Sequence, residues 1–128
     1  MGRSQRAKGH RFERMVAAKA RILGLLAKRG LQSRGGQDEP DVCLEGGVIE
    51  CKARAGQYSM PSAIDALVRL KNENKEKKFY ALAVKLDYKM PVVMMSLDDW
   101  LAMIRDVSQP SLKPPAREEK PMTGTGHA

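Results

Sequence analysis

Apolar positions change period several times along the chain, and each change marks an element. Over residues 9–29, Phe12, Met15, Val16, Ile22, Leu23 and Leu26 recur at three- and four-residue steps. Lys19 joins them by its stem, and the pattern predicts an amphipathic helix. Gly30 is the expected C-cap, although Gly24 interrupts the pattern. Residues 31–34 are expected to form a short first strand, and 35–40 a loop rich in turn residues. Residues 41–45 and 48–52 read as two strands joined by Gly46-Gly47, since two-residue hairpin loops need positive φ. A second helix over 60–74 places Ile64, Leu67, Val68 and the stem of Lys71 on one face, with Pro61 in its first turn. Residues 79–86 are nearly all apolar, as in a central strand covered on both faces. After a turn at 87–90, residues 91–95 form another apolar strand. Ser96 reads as an N-cap with Asp99 in the capping-box position. A last helix then buries Leu97, Trp100, Leu101 and Ile104, with Trp100 in the core.

This order, α-β-β-β-α-β-β-α, predicts an α/β fold with a small central mixed β-sheet flanked by helices. The domain is expected over residues 9–106. Residues 1–8 form a basic N-terminal arm. Residues 107–128 carry four of the seven prolines and few apolar side chains, so they are expected to be a disordered tail.

Composition narrows the class. The chain has 128 residues, 42% of them hydrophobic, enough for one core and not two. No apolar run approaches the roughly 20 residues of a membrane span. The run at 22–26 is too short for a signal-peptide core, so a cytoplasmic protein of a bacterium or a phage-infected host is expected. Two cysteines exclude a disulfide scaffold and a four-cysteine zinc site, and fit a reducing compartment. No P-loop or dinucleotide-binding glycine pattern occurs, which leaves no support for a nucleotide cofactor.

Charge is more telling. The net charge is +8, and the first 34 residues hold ten basic side chains against one acid, Glu13. That segment is therefore +9 and the remaining 94 residues sum to −1. A solvated helix face mixes both signs, whereas a one-sign field suits a phosphate backbone. Arg6, Lys8, Arg11, Arg14 and Arg34 are the candidate DNA phosphate contacts, with Lys19, Arg21, Lys28 and Arg29 extending the patch.

The hairpin permits a geometric test. With Gly46 and Gly47 as loop residues, Asp41 faces Lys52, Val42 faces Cys51 and Cys43 faces Glu50. Because side chains alternate, Val42, Leu44, Ile49 and Cys51 share an apolar face. Asp41, Cys43, Glu45, Val48, Glu50 and Lys52 share the other. Asp41 and Glu50 then lie diagonally, about 7–8 Å apart at Cα. Two carboxylates so placed can share a hard divalent cation, or can simply form a solvated face with an Asp–Lys pair. Cys43 and Cys51 fall on opposite faces, which disfavours a disulfide between them.

The residues Pro40-Asp41 followed by Glu50-Cys51-Lys52 resemble the signature of the PD-(D/E)XK, or restriction-endonuclease-like, nucleases. Gly9-His10-Arg11-Phe12-Glu13-Arg14 resembles the helix start of the archaeal-type Holliday-junction resolvases in that superfamily, and Arg34 suits the same branch. The resemblance spans roughly residues 6–86. The loop at 53–59 and the Pro-rich tail carry no motif of the branch.

This resemblance implies a restriction-endonuclease-like core and metal-dependent hydrolysis of phosphodiester bonds. Asp41, Glu50 and the Cys51 backbone carbonyl would hold Mg²⁺, with Mn²⁺ as a substitute. Glu13 would join through the metal or its waters, or else merely meet the positive end of its helix. Lys52 would orient or activate a water, or stabilise developing charge. The implied function is a structure-selective endonuclease resolving four-way DNA junctions in recombination and repair. Two cuts per junction call for a homodimer, for which Val92, Val93, Met94, Met95 and Met103 offer an apolar surface if they are not core. The alternatives are a nicking, duplex- or flap-cutting nuclease of phage or mobile-element type, a non-catalytic DNA-binding module, and a basic RNA- or ribosome-associated protein.

Overall fold

In the computed structural model, which describes residues 2–30 and 40–108, the chain alternates helix and strand in the expected order. Helix α1 spans Gly2–Ile22, β1 Ala27–Arg29, β2 Val42–Leu44 and β3 Gly47–Arg54. Helix α2 follows at Met60–Glu73, then β4 Phe79–Leu86, β5 Val92–Met95 and α3 Leu97–Ser108. The five strands form one sheet in the order β1-β2-β3-β4-β5. Every neighbouring pair is antiparallel except β3 and β4, which are parallel and joined through α2. The fold is thus α/β with a mixed sheet. No helix among the described residues is long and apolar enough to cross a membrane.

Alternation along the strands divides the core. On one face Phe12 and Ala17 of α1 pack against Val42, Ile49, Ala53, Ala81 and Ala83. On the other, Ala63 and Ala66 of α2 meet Leu82 and Val84, while Leu70 meets Val48 and Tyr80. Cys51 borders the first core and Cys43 the last, and both are free thiols on opposite faces, as the alternation required.

Helices α1 and α2 bury only part of the expected stripes, Phe12, Met15 and Val16 in α1 and Leu67 in α2 packing on the core as expected. In α2 the buried residues are Ala63, Ala66 and Leu70, whereas Ile64 and Val68 are 52% and 54% exposed. Small side chains let the helix axis approach the sheet, and the larger ones are left at its flank. Ser59 caps this helix, its Oγ accepting from Ser62 N at 3.1 Å.

Helix α1 likewise buries Phe12, Ala17 and Ala20. It begins at Gly2, so the expected N-terminal arm belongs to its first two turns. It ends at Ile22, not near Gly30. Gly24 takes φ 87°, its N–H donates to Arg21 O at 2.9 Å, and Leu25 N donates to Ala20 O at 3.0 Å. This is a Schellman closure, which a glycine in the left-handed region permits. Leu23 and Leu26, expected on the buried face, are therefore exposed. The first strand falls at Ala27–Arg29, earlier than expected, while residues 31–34 lie outside the described set, as does the tail from 109.

Residues 1–96 form one unit, and α3 belongs to a second that begins at Leu97. Helix α3 starts directly after Ser96, with Asp98 and Asp99 in its first turn. No α3 residue is buried, and Trp100, expected in the core, is 49% exposed. Its spacing specifies which face is apolar but not what covers that face. In β5, Met94 and Met95 pack against the two cores while Val92 and Val93 are exposed.

The β2–β3 turn depends on its glycines. Gly46 takes φ 88°, and a Cβ on Gly47 would lie inside the ring of Phe79, its partner on β4. Gly47→Ala is expected to lower unfolding free energy by roughly 1–3 kcal/mol in urea denaturation, with Phe79→Leu in the same chain recovering part of the loss.

Candidate active site

The hairpin register differs from the expected one by two residues. Val42 pairs with Ile49, Cys43 with Val48 and Leu44 with Gly47, so Glu45 and Gly46 are the loop residues. A shift of two preserves the faces, because side chains repeat every second residue. It changes the neighbours: continued one step, this register sets Asp41 beside Glu50 and not opposite Lys52. Lys52 instead pairs with Glu50, Nζ to Oε2 at 3.2 Å, both side chains being largely buried.

The β2–β3 ladder ends at Val42, and Asp41 takes over the next amide. Its Oδ2 accepts from Cys51 N at 2.8 Å, while its own carbonyl accepts from Gly30 N at 3.0 Å. The carboxylate is thereby held between the end of β1 and the middle of β3. Burial pushes its pKa up to about 6, and the charges of Glu50 and Glu13 add to that rise. The Cys51 N–H and Lys52 oppose it without cancelling it.

Glu13 comes from the other direction. Helix α1 starts eleven residues earlier, so Glu13 is mid-helix and does not cap a helix end. Its Oε1 accepts from Arg29 Nη2 at 3.1 Å and lies 3.7 Å from His10 Nδ1. Arg29 stands on β1 opposite Val42, and its Nε is buried without a hydrogen-bond partner among the described residues. Arg29 is the functional-site residue that sequence reasoning placed only at the edge of the basic patch. The signal that could have found it is Gly24, which ends α1 early enough for Arg29 to enter the sheet.

Asp41, Glu50, Lys52 and the Cys51 backbone are thus gathered on adjacent strands, with Glu13 near enough to act on Asp41 electrostatically. No cluster of three or more His, Cys, Asp or Glu side chains suited to a metal occurs among the described residues. Mg²⁺ needs less, being commonly held by one or two carboxylates with waters and substrate phosphate. The donor set, two carboxylates and a backbone carbonyl, is all oxygen and fits a hard cation. Of the expected DNA contacts, Arg6, Arg11 and Arg14 are exposed on α1, and Lys8 pairs with Asp87 at 3.1 Å. Arg34 lies outside the described residues.

A carboxyl raised on folding binds more protons in the native than in the unfolded state between its two pKa values. Native stability should therefore fall as pH rises from about 4 through about 6. Asp41→Asn keeps an acceptor for Cys51 N and removes the charge. In urea melts with EDTA it is expected to flatten that slope and to be more stable than wild type at pH 7 by roughly 1–2 kcal/mol.

No protein-family model matches the chain, and no curated protein matches it. Among solved structures it is similar to Hjc, a Holliday junction resolvase of the archaeal hyperthermophile Archaeoglobus fulgidus. The identity is 23%, the match covers 68% of this chain and 76% of that one, and the TM-score is 0.48.

Proposed function

We propose that this chain is a metal-dependent DNA endonuclease of the PD-(D/E)XK superfamily that cuts branched DNA, with four-way junctions as its preferred substrate. The observation that carries the reading is the convergence of Asp41, Glu50 and Lys52 on adjacent strands, behind a helix whose exposed charge is almost wholly positive. Folding alone gives no reason to half-bury a carboxylate whose ionisation Glu50 and Glu13 both oppose.

Asp41 and Glu50, with the Cys51 carbonyl, would hold Mg²⁺ or Mn²⁺. Such a cation would offset the phosphate charge and lower the pKa of an attacking water. Lys52 is fixed by Glu50 and presents its positive charge to the phosphate oxygens as charge develops there. Glu13, locked by Arg29, adds negative field that favours a cation at Asp41. Arg6, Arg11, Arg14 and Arg34 bind the backbone without reading sequence. Resolution of a junction takes two such sites, so the working unit is a homodimer.

Labelled four-way junction, flap, single-stranded and linear duplex DNA, each incubated with Mg²⁺ or with EDTA, test the reading. Paired symmetric cuts in the junction are expected with Mg²⁺ alone. Asp41→Asn and Glu50→Gln should abolish them, and Lys52→Ala should slow them by about 10²–10³-fold. Mg²⁺ should raise the melting temperature of wild type but not of Asp41→Asn, with a larger rise at pH 7 than at pH 5, where Asp41 is protonated. Cleavage of duplex or flap in place of the junction keeps the site and moves the substrate. DNA binding without cleavage under either metal overturns the catalytic roles.

A further inference from the structure

The carboxylate site leaves unused a cavity of about 290 Å³ at the start of α1, lined by Lys8, Arg11, Lys85 and Asp87 over an apolar floor that includes Phe12. Lys85 pairs in the sheet with Ala53, the residue after Lys52. The cavity therefore opens toward the same end of β3 as Lys52, but on the α1 face. Gln5 Nε2 donates to Ala53 O at 2.9 Å and fastens the start of α1 there. Lys8 Nζ is held 3.1 Å from Asp87 Oδ2. Three basic groups against one carboxylate leave the lining positive, which suits an anion.

Directly after Asp87 the chain reverses, Lys89 N donating to Leu86 O at 3.1 Å. Tyr88, at the tip, has φ 64° and is 100% exposed. That backbone region favours glycine or asparagine, and a fully exposed ring gains nothing from burial. Folding alone thus gives no reason for tyrosine at this position. A bare aromatic ring on the residue after Asp87, which lines the cationic cavity, suits one nucleotide, with its phosphate in the cavity and its base on the ring.

We propose that the β4–β5 turn and the cavity beside it form a second DNA contact. A backbone phosphate sits among Lys8, Arg11 and Lys85, and Tyr88 stacks on an unpaired base next to it. The contact rests on the DNA endonuclease reading and adds to it a selectivity for unstacked bases, such as those at a branch point. Asp87 positions Lys8 at the cavity.

Binding of the full chain to a fork with single-stranded arms and to a fully paired duplex, followed by fluorescence anisotropy in EDTA, tests this without hydrolysis. Tyr88→Gly suits the backbone and should keep the wild-type melting temperature. It is expected to weaken fork binding about tenfold and leave duplex binding unchanged, with Tyr88→Phe behaving as wild type. Lys85→Ala should weaken both and reduce the slope of log affinity against log salt by about one. Equal losses on fork and duplex, or none, in Tyr88→Gly would overturn the stacking role. An unchanged salt slope in Lys85→Ala would overturn the phosphate seat. Failure of cleavage with Mg²⁺ alongside these binding results sinks the endonuclease reading alone, so the two fail separately.

Discussion

The hydrogen bond from Cys51 N to the Asp41 carboxylate organises the rest of the site. It sits where the β2–β3 ladder stops, so a side chain replaces the strand partner that the backbone amide would otherwise need. One contact thereby completes the amide's hydrogen bonding, anchors the segment after Pro40, and commits a half-buried carboxylate to lie beside Glu50. The price is electrostatic, since Asp41 is raised by burial and by two acidic neighbours. Lys52 and Arg29 each answer one of those neighbours, Lys52 bonding Glu50 and Arg29 bonding Glu13.

The sheet makes this arrangement possible by mixing directions. The antiparallel hairpin brings Asp41 to β3 through a two-residue turn, which is local in sequence. The parallel β3–β4 pair then seals both faces of the central strands under α1 and α2. Lys52, Lys85 and Tyr88 all lie at or just beyond the C-terminal ends of β3 and β4.

Much of this was legible in the sequence, for reasons that differ by residue. The element order followed from changes of period and from turn residues. The pairing of Asp41 with Glu50 and Lys52 on one face survived an error in the turn, because a two-residue slip preserves side-chain parity. The partners within the cluster did not survive it, since pairing depends on the register itself. The helix faces are legible only in part: Phe12, Met15, Val16 and Leu67 pack on the sheet, but size alone does not say which apolar residues do. Against a sheet, Ala17, Ala63 and Ala66 give closer approach, leaving Ile64 and Val68 outside. Leu23 and Leu26 continue the helical pattern past its true end, which hides both the first strand and the partner of Glu13.

The Schellman closure at Gly24 makes spacing as important as residue identity in this part of the chain. From that stop, two residues lead to β1, and Arg29 is its third. One inserted or deleted residue between Gly24 and Arg29 would turn the guanidinium to the opposite face of the strand and leave Glu13 without its cation. Substitutions at Leu25 or Leu26 would leave that geometry alone. Variation here is therefore constrained in length and permissive in side chain, the reverse of what an exposed connection between a helix and an edge strand ordinarily allows.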